Sequence, residues 1–285
     1  MMSNNIIALV DGSIYSHSVC DHAAWVAQKT DMPVELVHVL GRREMLGDQD
    51  LSGSIALGAR SSILSELTKL DEQRAKLVGE RGRAILEDAE AILRKAGVAH
   101  VQARLRRGDL LETIADREDE AAMIVVGKRG EAADFAKGHL GSNLERLIRG
   151  SHKPVLVASR AFREIKKVML AFDGGSSSVK AAEYIAECAL FDGLHVHLVT
   201  VGNPSSDHHQ ILEQATAKLQ SAGREASYSL HQGQAEQVLA KIVEEESHDL
   251  VVMGAYGHSR IRSLIIGSTT TATVRSCKVP LLLMR

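Results

Sequence analysis

Two collinear copies of one residue pattern run through the sequence. An apolar segment that ends in Asp-Gly closes with Asp11 in the first copy and with Asp173, 162 positions later, in the second. Later matches come at a spacing of 126 or 127 and pair Gly127 with Gly254, Gly141 with Gly267, and Pro154 with Pro280. With 285 residues and about 150 residues per domain, the repeat predicts two tandem domains, residues 1–160 and 161–285.

Each copy alternates short segments rich in Val, Ile and Leu with helical patterns. In the first copy we predict strands close to 5–11, 33–40, 99–106, 121–127 and 153–159. In the second copy we predict strands at 167–173, 194–201, 225–231, 249–254 and 279–284, and helices at 176–190, 207–222, 234–246 and 268–276. Continuous apolar strands between helices are typical of a parallel sheet covered on both faces. The fold class is therefore α/β, with two tandem doubly wound domains of five parallel strands each.

The first copy is longer than the second by 35 residues between its second and fourth strands. The additional residues form an extended helical region at about 41–97. Leucines at helical spacing predict one long helix or two over Ser61–Ala96, interrupted at Gly79 and Gly82. Such a helix packs on its own sheet or meets a partner, and a homodimer formed through it is one expectation.

Composition and charge exclude several functional classes. Lys plus Arg number 34 and Asp plus Glu 36, so the net charge of −2 argues against a nucleic-acid protein with a strongly basic surface. No apolar run approaches the roughly 18 residues of a membrane helix, and the first residues lack a basic leader. Three cysteines without a CxxC pair indicate neither a disulfide framework nor a zinc motif. We expect a cytoplasmic protein without a membrane or nucleic-acid partner.

A glycine pattern follows the predicted strand 249–254 of the second copy. It reads Gly254-x2-Gly257-x9-Gly267-Ser268-Thr269. Glycine permits close approach of the backbone to a ligand, and free N–H groups at a helix N-terminus attract anions. The same glycines also suit tight turns, and Ser268 also suits a helix cap. The strand–loop–helix context and the strand-end Asp173 favour a phosphate-binding site.

This motif, with an aspartate closing the first strand, resembles the universal stress protein family. The resemblance covers essentially the whole chain as two copies and implies a Rossmann-like, adenine nucleotide alpha hydrolase-like fold. Members of this family bind ATP or remain nucleotide-free, so the ligand that the resemblance implies is ATP, with which Mg²⁺ can be bound. The resemblance also implies that Asp173 contacts the adenosine portion and that Val201 lines the base. The residues that would hold the ribose and phosphates are Gly254, Gly257, Gly267, Ser268 and Thr269.

The first copy departs from this pattern. The corresponding residues are Asp11, Gly127, Gly130, Gly141 and Ser142. Ten residues, instead of nine, separate Gly130 from Gly141, and one extra residue changes which amides converge on a ligand. Two added acids, Glu131 and Asp134, disfavour a triphosphate, whereas Lys128 and Arg129 favour it. We therefore expect nucleotide binding first in the second copy.

Three functions are compatible with these motifs. The first is a nucleotide-binding regulator of the cytoplasmic stress response, whose ligand state controls binding of an unidentified protein partner. The second is a slow ATPase, but phosphoryl transfer normally needs a metal-holding acid, and the glycine loop offers none. We therefore assign no catalytic residue and predict no enzyme. The third is a scaffold that binds no nucleotide and uses the long helical region.

Histidines provide only a weak signal for a metal site. His195 and His197 share one face of a predicted strand, and His208 and His209 follow Asp207. No cysteine or carboxylate completes a set at ligand spacing. No metal site is predicted.

The last strand of each copy, Pro154–Ala158 and Pro280–Met284, is apolar and has little chain after it within its copy. An uncovered apolar edge strand tends to pair with another edge. Single-domain members of the resembling family pair these strands across a two-fold axis. We therefore predict that the two strands pair within the chain, antiparallel, as an intramolecular pseudo-dimer.

Overall fold

A computed structural model describes residues 4–41, 60–130, 142–203, 206–255 and 268–285. In the first half, the strands are β1 (Asn5–Leu9), β2 (Val34–Leu40), β3 (Val101–Arg107), β4 (Ala121–Gly127) and β5 (Val155–Ala158). The helices are α1 (Ser16–Thr30), α2 (Arg60–Lys95), α3 (Leu110–Ala115) and α4 (Ser142–Gly150), with a 3-10 turn at Glu118–Glu120. The five strands lie within two residues of the predicted positions at nearly every boundary.

The second half repeats this order. Its strands are β6 (Lys167–Ala171), β7 (His195–Val201), β8 (Glu225–His231), β9 (Leu250–Gly254) and β10 (Leu281–Met284). Its helices are α5 (Ser176–Glu187), α6 (Ser206–Ser221), α7 (Ala235–Glu245) and α8 (Ser268–Ser276), with a 3-10 turn at Ala189–Phe191. The predicted end of α5 at 190 is wrong, because the extended backbone of Cys188 (φ −87°, ψ 126°) stops the helix at Glu187.

All ten strands form one continuous sheet in the order β3-β2-β1-β4-β5-β10-β9-β6-β7-β8. Within each half, neighbouring strands are parallel. The halves meet where β5 and β10 run antiparallel, with Leu156 opposite Leu282. The predicted antiparallel pairing of the last strands is confirmed, and it places two short apolar strands at the centre of the sheet.

Helices cover both faces of the sheet, so its eight inner strands are buried on both sides, whereas the edge strands β3 and β8 are half-buried or exposed. One apolar cluster lies under α1, α2, α5 and α6, with residues such as Trp25, Leu93 and Phe191 in its interior. The other lies under α3, α4, α7 and α8, and includes Leu147 and Val274. This three-layer arrangement confirms the doubly wound α/β class, and it leaves the strand ends as the accessible edges of the sheet.

Of the two alternatives predicted for Ser61–Ala96, the single long helix is confirmed. α2 runs through Gly79 and Gly82 without a break. Its C-terminal part packs on the sheet, because Leu86, Ala89 and Leu93 are buried. Its N-terminal part projects outward, with Leu70 60% and Leu77 65% exposed. Among the helices in the described ranges, none combines the length and the apolar character needed to cross a membrane.

The two glycines of α2 should respond in opposite ways to alanine substitution. A Cβ at Gly82 would lie 2.7 Å from Leu105 Cδ1 and 3.0 Å from His38 Cδ2, whereas a Cβ at Gly79 would meet only Arg83, at 3.7 Å. We expect Gly79→Ala to raise the free energy of unfolding by about 0.5–1 kcal/mol, because alanine loses less backbone entropy in a helix. Gly82→Ala should lower it by about 1 kcal/mol through overpacking. Urea unfolding measures both, and equal gains would show that α2 does not need a close approach at Gly82.

Candidate functional site

Three predicted site residues meet at the carboxyl ends of neighbouring strands in the second half. β6 lies between β9 and β7, and Ala171 pairs with Met253 on one side and Val199 on the other. Gly254 follows Met253 directly, while Asp173 and Val201 each lie two residues beyond their paired positions. The chain leaves β6 toward β7 on one side and reaches β9 on the other only later. Such a switch point forms the crevice in which open α/β sheets bind ligands.

The carboxylate of Asp173 is held by the start of α5. Its Oδ1 accepts hydrogen bonds from the Gly175 amide at 2.9 Å and from the Ser178 hydroxyl at 2.7 Å. Asp173 is nevertheless exposed at the strand end. The aspartate therefore fixes the first turn of α5 and presents a negative charge at the edge of the crevice.

Gly254 is required by the packing of α5 against the end of β9. A Cβ at this position would lie 2.7 Å from Ser177 Cβ in the first turn of α5. The Thr270 hydroxyl donates a hydrogen bond of 3.2 Å to the Gly254 carbonyl, which anchors the first turn of α8 at the end of β9. The half-buried Thr269 precedes it in the same turn. The N-terminus of α8 is thus held beside the crevice.

Several predicted residues lie outside the part of the chain that the structure describes. Gly257, Gly267 and Gly141 belong to the glycine loops at 256–267 and 131–141. Ser268 and Ser142 begin helices α8 and α4, but their side chains are not described. Their predicted role in holding phosphates stays a prediction.

The first half has the same framework, with a half-buried aspartate at its strand end. Asp11 Oδ1 accepts from the Ser13 amide at 3.0 Å and from the Ser16 hydroxyl at 3.3 Å, as Asp173 does in the second half. A Cβ at Gly130 would lie 2.8 Å from Asp11 Oδ2, so this glycine lies directly against the carboxylate. A Cβ at Gly127 would lie 2.8 Å from Tyr15 Cβ, and the larger tyrosine stands where the second half has Ser177.

Lys128 was associated with a triphosphate by the charge pattern, but its side chain contacts the second half of the protein. Its ammonium donates a 2.7 Å hydrogen bond to the Cys277 carbonyl, just after the end of α8, and burial lowers the pKa of Lys128. In the opposite direction, the Arg285 guanidinium donates to the Arg149 carbonyl in the last turn of α4 at 2.9 Å. Each half thus supplies a cation to the C-terminal end of the other half's glycine-loop helix. The sequence offered no signal for these two contacts.

Comparisons with known proteins agree with the repeat. The sequence model of the Universal stress protein family matches this chain twice, over residues 2–159 and 164–285. The universal stress protein Slr1230 of Synechocystis is 38% identical over 285 residues, which cover 99% of each chain. A universal stress protein of Mycolicibacterium smegmatis is 24% identical, and the alignment covers 98% of this chain and 96% of that protein.

A solved structure shows the same fold. The crystal structure of a universal stress protein from Archaeoglobus fulgidus superimposes with a TM-score of 0.76 at 19% sequence identity. The alignment covers 100% of this chain and 99% of that one. The two matches of the family model, the full-length relatives and the shared fold lead to one conclusion: the chain belongs to the universal stress protein family, as a tandem member with two copies of its domain.

Proposed function

We propose that this protein is an ATP-binding regulator and that the second half carries the nucleotide site. The observation that carries the proposal is the convergence of Asp173, Gly254 and the N-terminus of α8 at the switch point of the second half-sheet. The exposed carboxylate suits adenosine hydroxyls, and the helix N-terminus suits phosphates. Mg²⁺ would accompany the triphosphate and neutralise part of its charge.

The first half is less suited to the same ligand. Gly130 lies against Asp11, and Lys128 points to the Cys277 carbonyl instead of toward a phosphate. Asp11 is also half-buried, whereas Asp173 is exposed, and the ammonium of Lys128 is turned away from a phosphate at this strand end. We propose that ATP binds at the second half first and more tightly.

Regulation through a protein partner fits this chain better than catalysis. Phosphoryl transfer needs a metal-holding acid near the phosphates, and the glycine loop of the second half carries His258, Arg260 and Arg262 but no acid. We propose a cytoplasmic regulator whose two domains span residues 1–160 and 161–285. Its partner, or a second copy of the chain, would meet the exposed leucines of α2. These leucines equally support the alternative of a scaffold without nucleotide.

Equilibrium binding of ATP to the full chain tests the proposal, with a pair of equivalent variants in the two halves. Asp173→Ala should lower the affinity for ATP by at least about tenfold, which is the effect expected from the loss of one or two charged hydrogen bonds. Asp11→Ala removes the same kind of local contacts in the first half, so it controls for loosening of the first helical turn. It should leave the tighter ATP site unchanged. Calorimetric titration gives both affinities.

Inorganic triphosphate separates a role on the adenosine from a structural role. Asp173→Ala should lower the affinity for ATP more than the affinity for free triphosphate. Equal losses of affinity would mean that the carboxylate serves only to fix the first turn of α5. Gly267→Val should abolish ATP binding, because side-chain bulk blocks close backbone approach to the phosphates. If Gly141→Val removes binding and Gly267→Val does not, the competent half is the first. If the unaltered chain does not bind ATP, the proposal is wrong and the alternative of a scaffold without nucleotide is favoured.

A further inference from the structure

A cluster of histidine and acidic side chains lies at the amino edge of the second half-sheet, opposite to the candidate nucleotide site. His197 belongs to the start of β7, while Glu246 and His248 flank the turn between α7 and β9. His197 Nδ1 lies 3.2 Å from His248 Nε2 and 3.3 Å from Glu246 Oε2. The three side chains have ligand atoms that all lie within 4.8 Å of one another.

The turn after α7 explains how two ligands from one segment meet a third from β7. Ser247 has a left-handed backbone (φ 54°), and the Glu246 and His248 amides donate to the carbonyls of Ile242 and Val243. This tight reversal turns Glu246 and His248 toward the same side, over the start of β7. His197 and His248 are 51 positions apart in the chain, which is why spacing in the sequence did not reveal the set.

Both imidazoles are oriented from outside the cluster. His248 Nδ1 lies 3.3 Å from the Ile242 carbonyl, which can only accept, so Nδ1 carries the proton and the lone pair of Nε2 faces His197. On the far side of His197, Nε2 lies 2.9 Å from the Ser229 hydroxyl. Metal-binding histidines are ordinarily held in this way through their second nitrogen.

Burial keeps the two rings neutral, and Glu246 connects them to solvent. His248 is 2% exposed, and desolvation, with Lys167 nearby, lowers its pKa to about 4. Burial likewise lowers the pKa of His197. Neutral imidazole is the form that binds cations. The side chain of Glu246 is 38% exposed, which provides a path from solvent as well as an anionic ligand.

The two distances from His197 Nδ1, to His248 Nε2 and to Glu246 Oε2, match those of a small tetrahedral centre. Ligand atoms about 2.0–2.1 Å from a zinc ion in tetrahedral geometry stand about 3.3 Å from one another. We infer that His197, Glu246 and His248 form a site for one divalent transition-metal ion of the zinc class, completed by water. The planes of the two rings are nearly parallel (16°) with centroids 5.3 Å apart, and the 3.2 Å between His197 Nδ1 and His248 Nε2 is that of an N–H···N hydrogen bond. Binding of the ion requires the proton of His197 to move from Nδ1 to Nε2, which can then donate to the Ser229 hydroxyl. The ring stays neutral, and the two rings tilt so that the lone pairs of His197 Nδ1 and His248 Nε2 converge.

The ammonium of Lys167 pairs with the carboxylate of Glu246 in this cluster. Its ammonium lies 3.1 Å from Glu246 Oε2 and also donates to the Glu246 carbonyl at 3.2 Å. The ammonium balances the carboxylate that would otherwise stand beside buried neutral rings. An incoming cation displaces Lys167 from the carboxylate, and this competition sets the affinity below that of a site without a lysine.

Titration of the full chain with Co²⁺, followed by visible absorption, tests the site. The unaltered protein should bind one equivalent with the intense bands of a tetrahedral centre. Glu246→Gln, which changes a partly exposed side chain to one of the same shape, and His248→Gln should each weaken binding by at least about tenfold. As a control, His17→Gln alters an exposed histidine that lies 3.0 Å from Asp21 but belongs to no three-ligand group among the described residues. This variant should leave Co²⁺ binding unchanged.

Stability measurements keep the test independent of any folding defect. Zn²⁺ should raise the Tm of the unaltered protein and of His17→Gln, because a ligand that binds only the folded state stabilises it. Zn²⁺ should not raise the Tm of Glu246→Gln, although the circular dichroism spectrum of this variant should match that of the unaltered protein. Absence of a tetrahedral Co²⁺ spectrum, or equal binding by the unaltered chain and both site variants, would overturn the inference.

Discussion

Leu282→Ala should destabilise both halves of the protein together, by about 3–5 kcal/mol for a fully buried leucine. Leu282 is 0% exposed in β10 and stands between Leu156 of β5 and Val252 of β9. Truncation leaves a cavity at the junction of the two half-sheets. The single tryptophan, Trp25, lies in α1 of the first half and reports on unfolding there, while circular dichroism reports on the whole chain.

Leu77→Ala is the matched control. This leucine of α2 is 65% exposed, and its truncation should change the free energy of unfolding by less than about 0.5 kcal/mol. For Leu282→Ala, the urea midpoints reported by Trp25 and by circular dichroism should both fall. For Leu77→Ala, neither midpoint should change. A Trp25 transition that stays in place while the circular dichroism shifts would mean that the halves unfold independently.

Arg224→Met should cost about 3 kcal/mol, because charged hydrogen bonds contribute about 1.5–3 kcal/mol and the carbonyls left behind lose their donor. The guanidinium is 9% exposed and donates to the carbonyls of Ile185 at 2.9 Å, Ala186 at 3.1 Å and Cys188 at 3.0 Å. It thus caps the C-terminal end of α5, whose last carbonyls have no partner within the helix. Chemical denaturation measures the loss.

A second arginine separates this capping role from the loss of a surface charge. Arg94 of α2 is 69% exposed and pairs with Glu90 one helical turn earlier, so Arg94→Met should cost less than about 0.5 kcal/mol. Arg224→Lys should recover only part of the stability, because an ammonium lacks the planar set of donors that reaches several carbonyls. Equal losses for Arg224→Met and Arg94→Met would show that the capping contacts contribute little.

The α/β fold was predictable because the information lies in local and repeated patterns. Apolar strands and helical periodicity placed β7, β8 and α8 within one residue of their observed bounds. The pairing of β5 with β10 was predictable from two uncovered apolar strands in equivalent positions. The end of α5 was not, because it depends on the backbone of Cys188 and on carbonyls capped by Arg224, 36 residues away.

For the candidate sites, the limit was contact between distant segments. Asp173 and Gly254 were predicted because a parallel sheet brings carboxyl strand ends to one edge. The bond from Lys128 to the Cys277 carbonyl spans 149 positions and depends on how the two halves meet. The cluster around His197 likewise needs the left-handed turn at Ser247, which no residue type announces.

The place of β10 in the sheet matters during synthesis on the ribosome. Roughly 120 residues separate β5 from β10 in the chain, and at translation rates of about 5–20 residues per second β5 waits on the order of 10 s for its antiparallel neighbour. During that interval the newly made first half exposes an apolar sheet edge to neighbouring nascent chains on the same messenger. The pairing of β5 with β10 at the middle of the sheet can therefore form only after the last strand has been synthesised. The speed of translation over the second half sets how long the edge of β5 remains unpaired.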